Sequence, residues 1–375
     1  MSRKSARCRV ARATIVLLTS AATWFGAGAQ AADPLGRFPI DPAQVSVSGI
    51  SSGAFMGNQL HIAHSAGIMG AGMIAGGLYG CAVQSLSDDG VFALASVAVG
   101  PCMSVPSLLR PLDAYAQLTV DLAAKGWIDP LSNIARGRVY IFTGQADQVV
   151  NSKVIELGAS LYRRLGVPKE QIQFHDKDLP GSGAGHSWVT KNFGNACNAN
   201  ATPFINRCAY DQAAEVLQAM YGLLKPPANE PAGRLVVFDQ TEFVPGNAAA
   251  AKGLSDKSYL YVPKACEPGA AELCRLHVVL HGCLQSAEVL GDEFYTKIGV
   301  NEWADSNRLV VLYPQAHATS VSELSSQSFL SVLNTNLNGC WNWWGYAGDK
   351  QFLTKQGVQV GAIWSMVRRV TGQGN

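Results

Sequence analysis

The sequence predicts an α/β fold, a mostly parallel sheet flanked by helices, on three observations. Val45-Ser46-Val47-Ser48-Gly49-Ile50-Ser51-Ser52-Gly53 is an alternating strand that enters Gly-x-Ser-x-Gly and continues as a helix-compatible run from Ala54 to His64. Two later strand-like runs each lead into a loop with a titratable residue: Arg138 to Gly144 ahead of Asp147, and Gln171 to His175 ahead of a glycine-rich loop ending on His186. A third, Leu276 to Leu280, ends in His281-Gly282-Cys283.

The first motif is the strand, tight turn and helix that hold a serine nucleophile at the top of an α/β-hydrolase sheet. Its turn is too sharp and crowded for Cβ atoms at Gly49 and Gly53. Only Ser51 is in register; Ser52 would need a glycine where Ile50 stands, so its contribution is its backbone N–H. By itself Gly-x-Ser-x-Gly is a weak signal in a chain with 38 glycines, where an ordinary glycine-rich turn looks the same. The partners strengthen it. Ser51, Asp147 and His186 follow three successive strands in the chain order of an α/β-hydrolase, at the strand ends where active sites of open parallel sheets lie.

The remaining elements follow in order. Met69 to Gly77 reads as a small-residue buried strand, followed by a loop with Cys81 and Cys102. Ala114 to Gly126 is an amphipathic helix that its glycine can stop, Val150 to Leu165 a second helix and Ala213 to Leu224 a third. Residues 225–233, Lys-Pro-Pro-Ala-Asn-Glu-Pro-Ala-Gly, have a linker composition. Strands are then expected at Arg234–Gln240, Ser258–Pro263, Leu276–Leu280 and Leu309–Pro314, and a final helix at Gly357–Thr371.

These later strands supply what the first half lacks. A hydrolase sheet needs several strands before its nucleophile, and Val45 has almost none ahead of it. A buried strand ending in His-Gly normally precedes the nucleophile and supplies the second oxyanion N–H; here it comes far after Ser51. Circular permutation explains both facts, with 225–233 joining the old termini, and domain termini that lie close together on the surface make it tolerable. Residues 32–375 are thus expected to form a single catalytic domain, with no separate binding domain.

Residues 1–31 are expected to be a secretory leader. Arg3, Lys4, Arg7, Arg9 and Arg12 form a basic head, Ala13 to Gly28 is mostly apolar, and Ala29-Gln30-Ala31 is a small-x-small cleavage site. The apolar run is shorter than the ~20 residues that span a bilayer. Removing the five basic residues leaves 24 Lys and Arg against 27 Asp and Glu, a charge of about −3. Nucleic acid and anionic membranes require a basic excess, so neither is an expected partner.

Of nine cysteines, Cys8 leaves with the leader. Eight in an exported chain point to disulfides; about 105 connectivities are possible, and spacing points to the local pairs Cys81–Cys102, Cys197–Cys208, Cys266–Cys274 and Cys283–Cys340. Neither Cys-x-x-Cys nor His-Glu-x-x-His occurs, so no zinc or other cofactor is expected.

Three segments carry a resemblance. Ser46 to Gly53, Leu280-His281-Gly282-Cys283-Leu284-Gln285-Ser286 and Gly339-Cys340-Trp341-Asn342-Trp343 closely resemble the circularly permuted, single-domain poly(3-hydroxybutyrate) depolymerases. Tyr259 to Pro263, Asn301 to Asp305 and Leu312 to Ala316 extend the similarity over nearly the whole mature chain. The resemblance implies a secreted serine esterase for a polyester of 3-hydroxy acids, without a cofactor. It implies a triad on Ser51, Asp147 and His186, oxyanion donors at the backbone of Ser52 and Cys283, and a tryptophan beside the crevice, matched by Trp341.

Each assignment has a rival. His61 and His64 on the elbow helix, His175, His277 within a strand, His281 and His317 compete with His186, though packing or supporting roles suit them better; His281 would shape the oxyanion turn. Asp176 and Asp178 compete with Asp147. Trp343 and Trp344 equally fit core packing. The reading is a secreted or periplasmic monomeric depolymerase acting on a polyester or oligoester; the alternatives are a carboxylesterase for small or aromatic esters, or a non-catalytic polymer binder.

Overall fold

The computed structural model describes residues 32, 34–176, 180–320, 322–323 and 335–374. The expected leader, its Cys8, and Asp178 lie outside the described residues.

The strands are β1 (Ile40–Ile50), β2 (Gly70–Ile74), β3 (Val83–Leu86), β4 (Val91–Ala93), β5 (Arg138–Phe142), β6 (Ile172–His175), β7 (Trp188–Thr190), β8 (Asn195–Ala196), β9 (Ile205–Arg207), β10 (Arg234–Asp239), β11 (Lys257–Val262), β12 (Cys274–Leu280) and β13 (Leu309–Tyr313), and the central ones β2, β5, β12 and β13 are buried almost end to end, as strands covered on both faces are. Eight of them form one sheet in the order β10-β11-β13-β12-β1-β2-β5-β6. The pairs from β13 to β6 are parallel, and β10 and β11 make an antiparallel edge.

Successive side chains of a strand point to opposite faces, and the core divides accordingly. Val47, Val139, Ile141, Leu276, Val278, Leu280, Val310 and Leu312 pack on one face with the helices Ser52–Ala63, Ser152–Arg164 and Val358–Val370. Tyr140, Phe142, Val279, Val311 and Tyr313 pack on the other with the helix Gln212–Tyr221. Each fully buried aliphatic or aromatic side chain contributes about 1.5–3 kcal/mol. The result is an α/β-hydrolase-like architecture.

Strands from both sides of residues 225–233 share this sheet. β12 lies directly beside β1, with Val47 opposite Val278 and Gly49 opposite Leu280. The 225–233 segment has no strand or helix; it is tied to the helix Val300–Ser306 by Ala228 N–H to Glu302 O and by Asp305, whose carboxylate accepts from the amides of Ala232 and Gly233. At the other end of the chain, Phe38 N donates to Val370 O at 3.0 Å.

Three features depart from the expectation. The stretch between Cys81 and Cys102 is not a plain loop but holds the β3–β4 hairpin. A second small sheet, β7-β9-β8, follows His186. Both consist of strands of two to four residues, too short for an alternation to be visible. The helix expected to reach Leu224 stops at Tyr221, because Gly222 adopts φ 78° and Leu223 turns out to solvent.

Candidate active site

β1 delivers Ser51 to the carboxyl edge of the sheet in a backbone conformation that L-residues rarely adopt, φ 54° and ψ −122°. Conformations of this kind cost on the order of 1–3 kcal/mol and persist only where the surroundings enforce them. Here the enforcement is steric. A Cβ on Gly49 would overlap the Gly53 carbonyl, and a Cβ on Gly53 would overlap the carbonyls of Leu280 and His281. The following helix begins with no side-chain cap at Ser51, so its first amides keep their hydrogen-bonding capacity and the positive end of its dipole.

The end of β12 packs against this turn. His281 is fully buried, and desolvation lowers its pKa to about 4. Its Nε2 accepts from Ala316 N at 3.0 Å, so the proton resides on Nδ1, which donates to Gly282 O at 2.7 Å. Gly282 N in turn donates to Gln285 Oε1 at 2.7 Å. The amides of Ser52 and Cys283 make no hydrogen bond among the described residues. Two donors that sequence reasoning put at an oxyanion site therefore remain available. Disulfide Cys283–Cys340 closes beside them, one of four together with Cys81–Cys102, Cys197–Cys208 and Cys266–Cys274.

Asp147 follows β5 and His186 precedes β7. Asp147 Oδ2 meets His186 Nδ1 at 2.9 Å, with both side chains almost wholly buried. The other carboxylate oxygen accepts from Val149 N and Val150 N at 2.8 and 2.9 Å, so the turn after β5 fixes the carboxylate before the histidine is engaged. With Nδ1 taken by Asp147, Nε2 is the imidazole nitrogen left to exchange a proton. The ring of Phe204 stands edge-on to the imidazole, 5.9 Å between centroids.

Ser51, Ser52, His186 and Cys283 line one cavity of about 390 Å³, with Phe55 and Trp343 among its apolar residues. The tryptophans need a correction. Trp341, expected beside the crevice, is fully buried and is not part of this lining; its indole N–H donates to His281 O at 2.9 Å. Trp343 and Trp344 line the cavity instead. Trp343 stacks on Phe55 at 3.9 Å, and Trp344 stands edge-on to Trp343. A fully buried indole whose N–H is bonded to His281 O supports the turn at the end of β12 and has no face left for a ligand.

The rival histidines have structural partners. His277 bridges Ser46 and Ser48 inside the sheet, at 2.7 and 2.8 Å, and burial lowers its pKa to about 3. His61 meets the Tyr162 hydroxyl, His64 stacks on Trp364, and His317 sits between Glu288 and Glu323. His175 lies against Tyr140 and Tyr210, away from the cavity lining. Asp176 lies just past β6, and the carboxylate bonded to the His186 ring is that of Asp147. Among the described residues no group of three or more His, Cys, Asp or Glu could hold a metal, and no helix is long and apolar enough to cross a membrane.

Gln285 is the supporting residue that sequence reasoning passed over. Its Nε2 donates to the carbonyls of Pro203 and Phe204 while its Oε1 holds Gly282 N. It stood within a recognised motif, but its partners lie about eighty residues away in sequence.

The chain is 33% identical over 356 residues to the polyhydroxybutyrate depolymerase of Talaromyces funiculosus, covering 92% of this chain and 94% of that one. The chain belongs to the poly(3-hydroxybutyrate) depolymerase family. It is also 36% identical over 344 residues to a poly(3-hydroxybutyrate) depolymerase of Delftia acidovorans, matching 91% of this chain but only 62% of that protein's length. The crystal structure of the PHB depolymerase from Penicillium funiculosum superposes with a TM-score of 0.75 at 27% identity, covering 91% of this chain and all of the other. A PHB depolymerase with a serine-to-alanine substitution, complexed with an R3HB trimer, matches equally well. No family model matches the chain.

Proposed function

We propose that this depolymerase-family chain is a serine esterase that hydrolyses poly(3-hydroxybutyrate), or related polyhydroxyalkanoates and their oligomers. The observation that carries the reading is the buried Asp147–His186 pair, whose imidazole lines the same cavity as the strained Ser51. Ser51 Oγ attacks the ester carbonyl as His186 Nε2 takes its proton. The amides of Ser52 and Cys283 hold the oxyanion, a donor set in which each member is worth ~3 to 4 kcal/mol in comparable sites. Collapse breaks the C–O bond, and His186 returns the proton to the departing alkoxide. Water, deprotonated by the same imidazole, then attacks the acyl-enzyme and releases the hydroxyacid. Asp147 keeps the tautomer and stabilises the imidazolium.

Trp343 and Trp344 offer the apolar surface for the alkyl part of a polyester. The chain is read as exported, with residues 1–31 as leader; four disulfides suit an oxidising compartment. Residues 32–375 are read as one circularly permuted catalytic domain. The adjacency of β12 and β1 and the closeness of Phe38 to Val370 support this.

The test is release of 3-hydroxybutyrate from amorphous poly(3-hydroxybutyrate) granules, run beside p-nitrophenyl ester turnover and with Ser51→Ala as control. Hydroxyacid release that stops in Ser51→Ala is the expected result. Rapid small-ester turnover with no polymer product would replace the depolymerase reading by a small-ester carboxylesterase.

A further inference from the structure

The loop closed by Cys197–Cys208 carries a side chain that makes three bonds to backbone groups around the Asp–His pair. Asn200 Oδ1 accepts from Gln148 N at 3.0 Å and from His186 N at 2.9 Å. Its Nδ2 donates to Ala146 O at 2.9 Å and to Asn198 O at 3.2 Å. Ala146 and Gln148 flank Asp147, so one amide grips the chain on both sides of the aspartate and the backbone of the histidine itself. The loop is stiffened from within, since Asn206 Nδ2 donates to the carbonyls of Cys197 and Ala199, both at 2.8 Å.

We propose that Asn200 is the positioning residue that sets the separation of the Asp147 and His186 loops. The proposal rests on the serine-esterase reading above. Val149 and Val150 orient the Asp147 carboxylate, and Asp147 orients the imidazole. The two backbones are bonded directly one step further back, Gln145 N to Ser182 O at 2.6 Å and Ala146 N to Ala184 O at 3.0 Å; convergence of the Gln148 and His186 amides on one oxygen carries that tie forward to the residues beside and within the pair. Without it the loop ends at Gln148 and His186 are held to each other by the Asp147–His186 contact, and the imidazole moves with whichever end relaxes. Displacement of a proton-transfer group by about 1 Å is enough to cost ~10²-fold in rate, while ester binding against Phe55 and Trp343 is untouched.

The test compares Asn200→Ala and Asn200→Asp with wild type and Ser51→Ala on a p-nitrophenyl ester, with active sites titrated and melting recorded. Asn200→Ala is expected to lose roughly 10- to 100-fold in kcat with KM nearly unchanged. Asn200→Asp keeps both accepted bonds but turns a carboxylate oxygen toward the carbonyls of Ala146 and Asn198, so it is expected to recover part of kcat. Its added negative charge favours the imidazolium, so the acid limb of its kcat/KM profile moves to higher pH. Lower melting with kcat per titrated site and pH profile both unchanged would assign Asn200 a merely structural role and overturn the proposal. If Asn200→Ala does not fold, kcat per titrated site of the near-isosteric Asn200→Asp decides: a loss with KM unchanged upholds the proposal, and a kcat equal to wild type overturns it. Wild-type turnover by Ser51→Ala instead removes the serine-esterase reading itself, and the positioning role with it.

Discussion

Gly53 lies so close to Leu280 that a Cβ on the glycine would overlap the leucine's carbonyl oxygen. The elbow is thus braced from outside, by the last residue of β12. Ser51 holds its strained torsions because the β12 backbone leaves it nowhere else to go. Gly53→Ala must push apart two backbones, not a flexible side chain. We expect a loss of about 1–3 kcal/mol in stability, as for overpacking elsewhere, with a larger fractional loss of ester turnover. Denaturant melts paired with active-site titration check it; an unperturbed, fully active Gly53→Ala would refute the brace.

Asp147→Asn keeps the size of the side chain but lets an NH₂ face His186 Nδ1, favouring the wrong tautomer. A fall of about 10⁴-fold in kcat with little change in melting is expected. Steady-state kinetics and a thermal scan on the same preparation test this.

Stability should fall on mild acidification. Burial lowers the pKa to about 4 for His61 and His281 and to about 3 for His64 and His277. In the unfolded chain these groups take protons near pH 6.5, so below that pH the unfolded state binds more protons and gains. Each costs about 1.4 kcal/mol per pH unit until the folded pKa is reached, on the order of 5 kcal/mol for the four together by pH 5.5. His317 works oppositely. Glu288, with Glu323 beside it, raises its pKa to about 8, so its contribution is full below about 6.5 and is lost as pH rises through 8. Urea midpoints should therefore peak near neutrality and drop steeply toward pH 5.5; a flat profile over that interval would contradict the buried neutral histidines.

The tryptophans separate cleanly by experiment. Trp341→Phe leaves the His281 carbonyl without its donor and should cost about 1–3 kcal/mol of stability while leaving KM unchanged. Trp344→Ala should raise KM for oligoesters and leave melting nearly unchanged. Reversed outcomes would return Trp341 to the substrate.

Much of this arrangement was legible in the sequence where a period exists. β1, β5, β12 and β13 announce themselves by β-branched runs, and Ser51, Asp147 and His186 by their place just past strands. The His281-Gly282-Cys283 sequence also pointed across the chain to the elbow. Legibility failed where geometry has no period. Trp341, Trp343 and Trp344 stand in a turn, where no alternation says which indole faces inward. Gln285 and Asn200 act on main-chain groups far away in sequence, and an amide side chain looks the same whether it holds a catalytic loop or water. β3 and β4 are too short to show a pattern.

The pairing of β1 with β12 also has a consequence in time. Ser46 and His277, hydrogen-bonded neighbours in the sheet, are 231 residues apart in sequence. Contacts of such separation form slowly, because loop-closure entropy must be overcome before they stabilise anything. Synthesis runs from the N-terminus, so Ser51 leaves the ribosome early, but the strand that braces its turn and Cys340, which locks the neighbouring turn, come near the end. A nascent chain therefore carries Ser51 unbraced, and the cavity that Ser51 shares with His186, Cys283 and Trp343 can form only after nearly the whole polypeptide has been released.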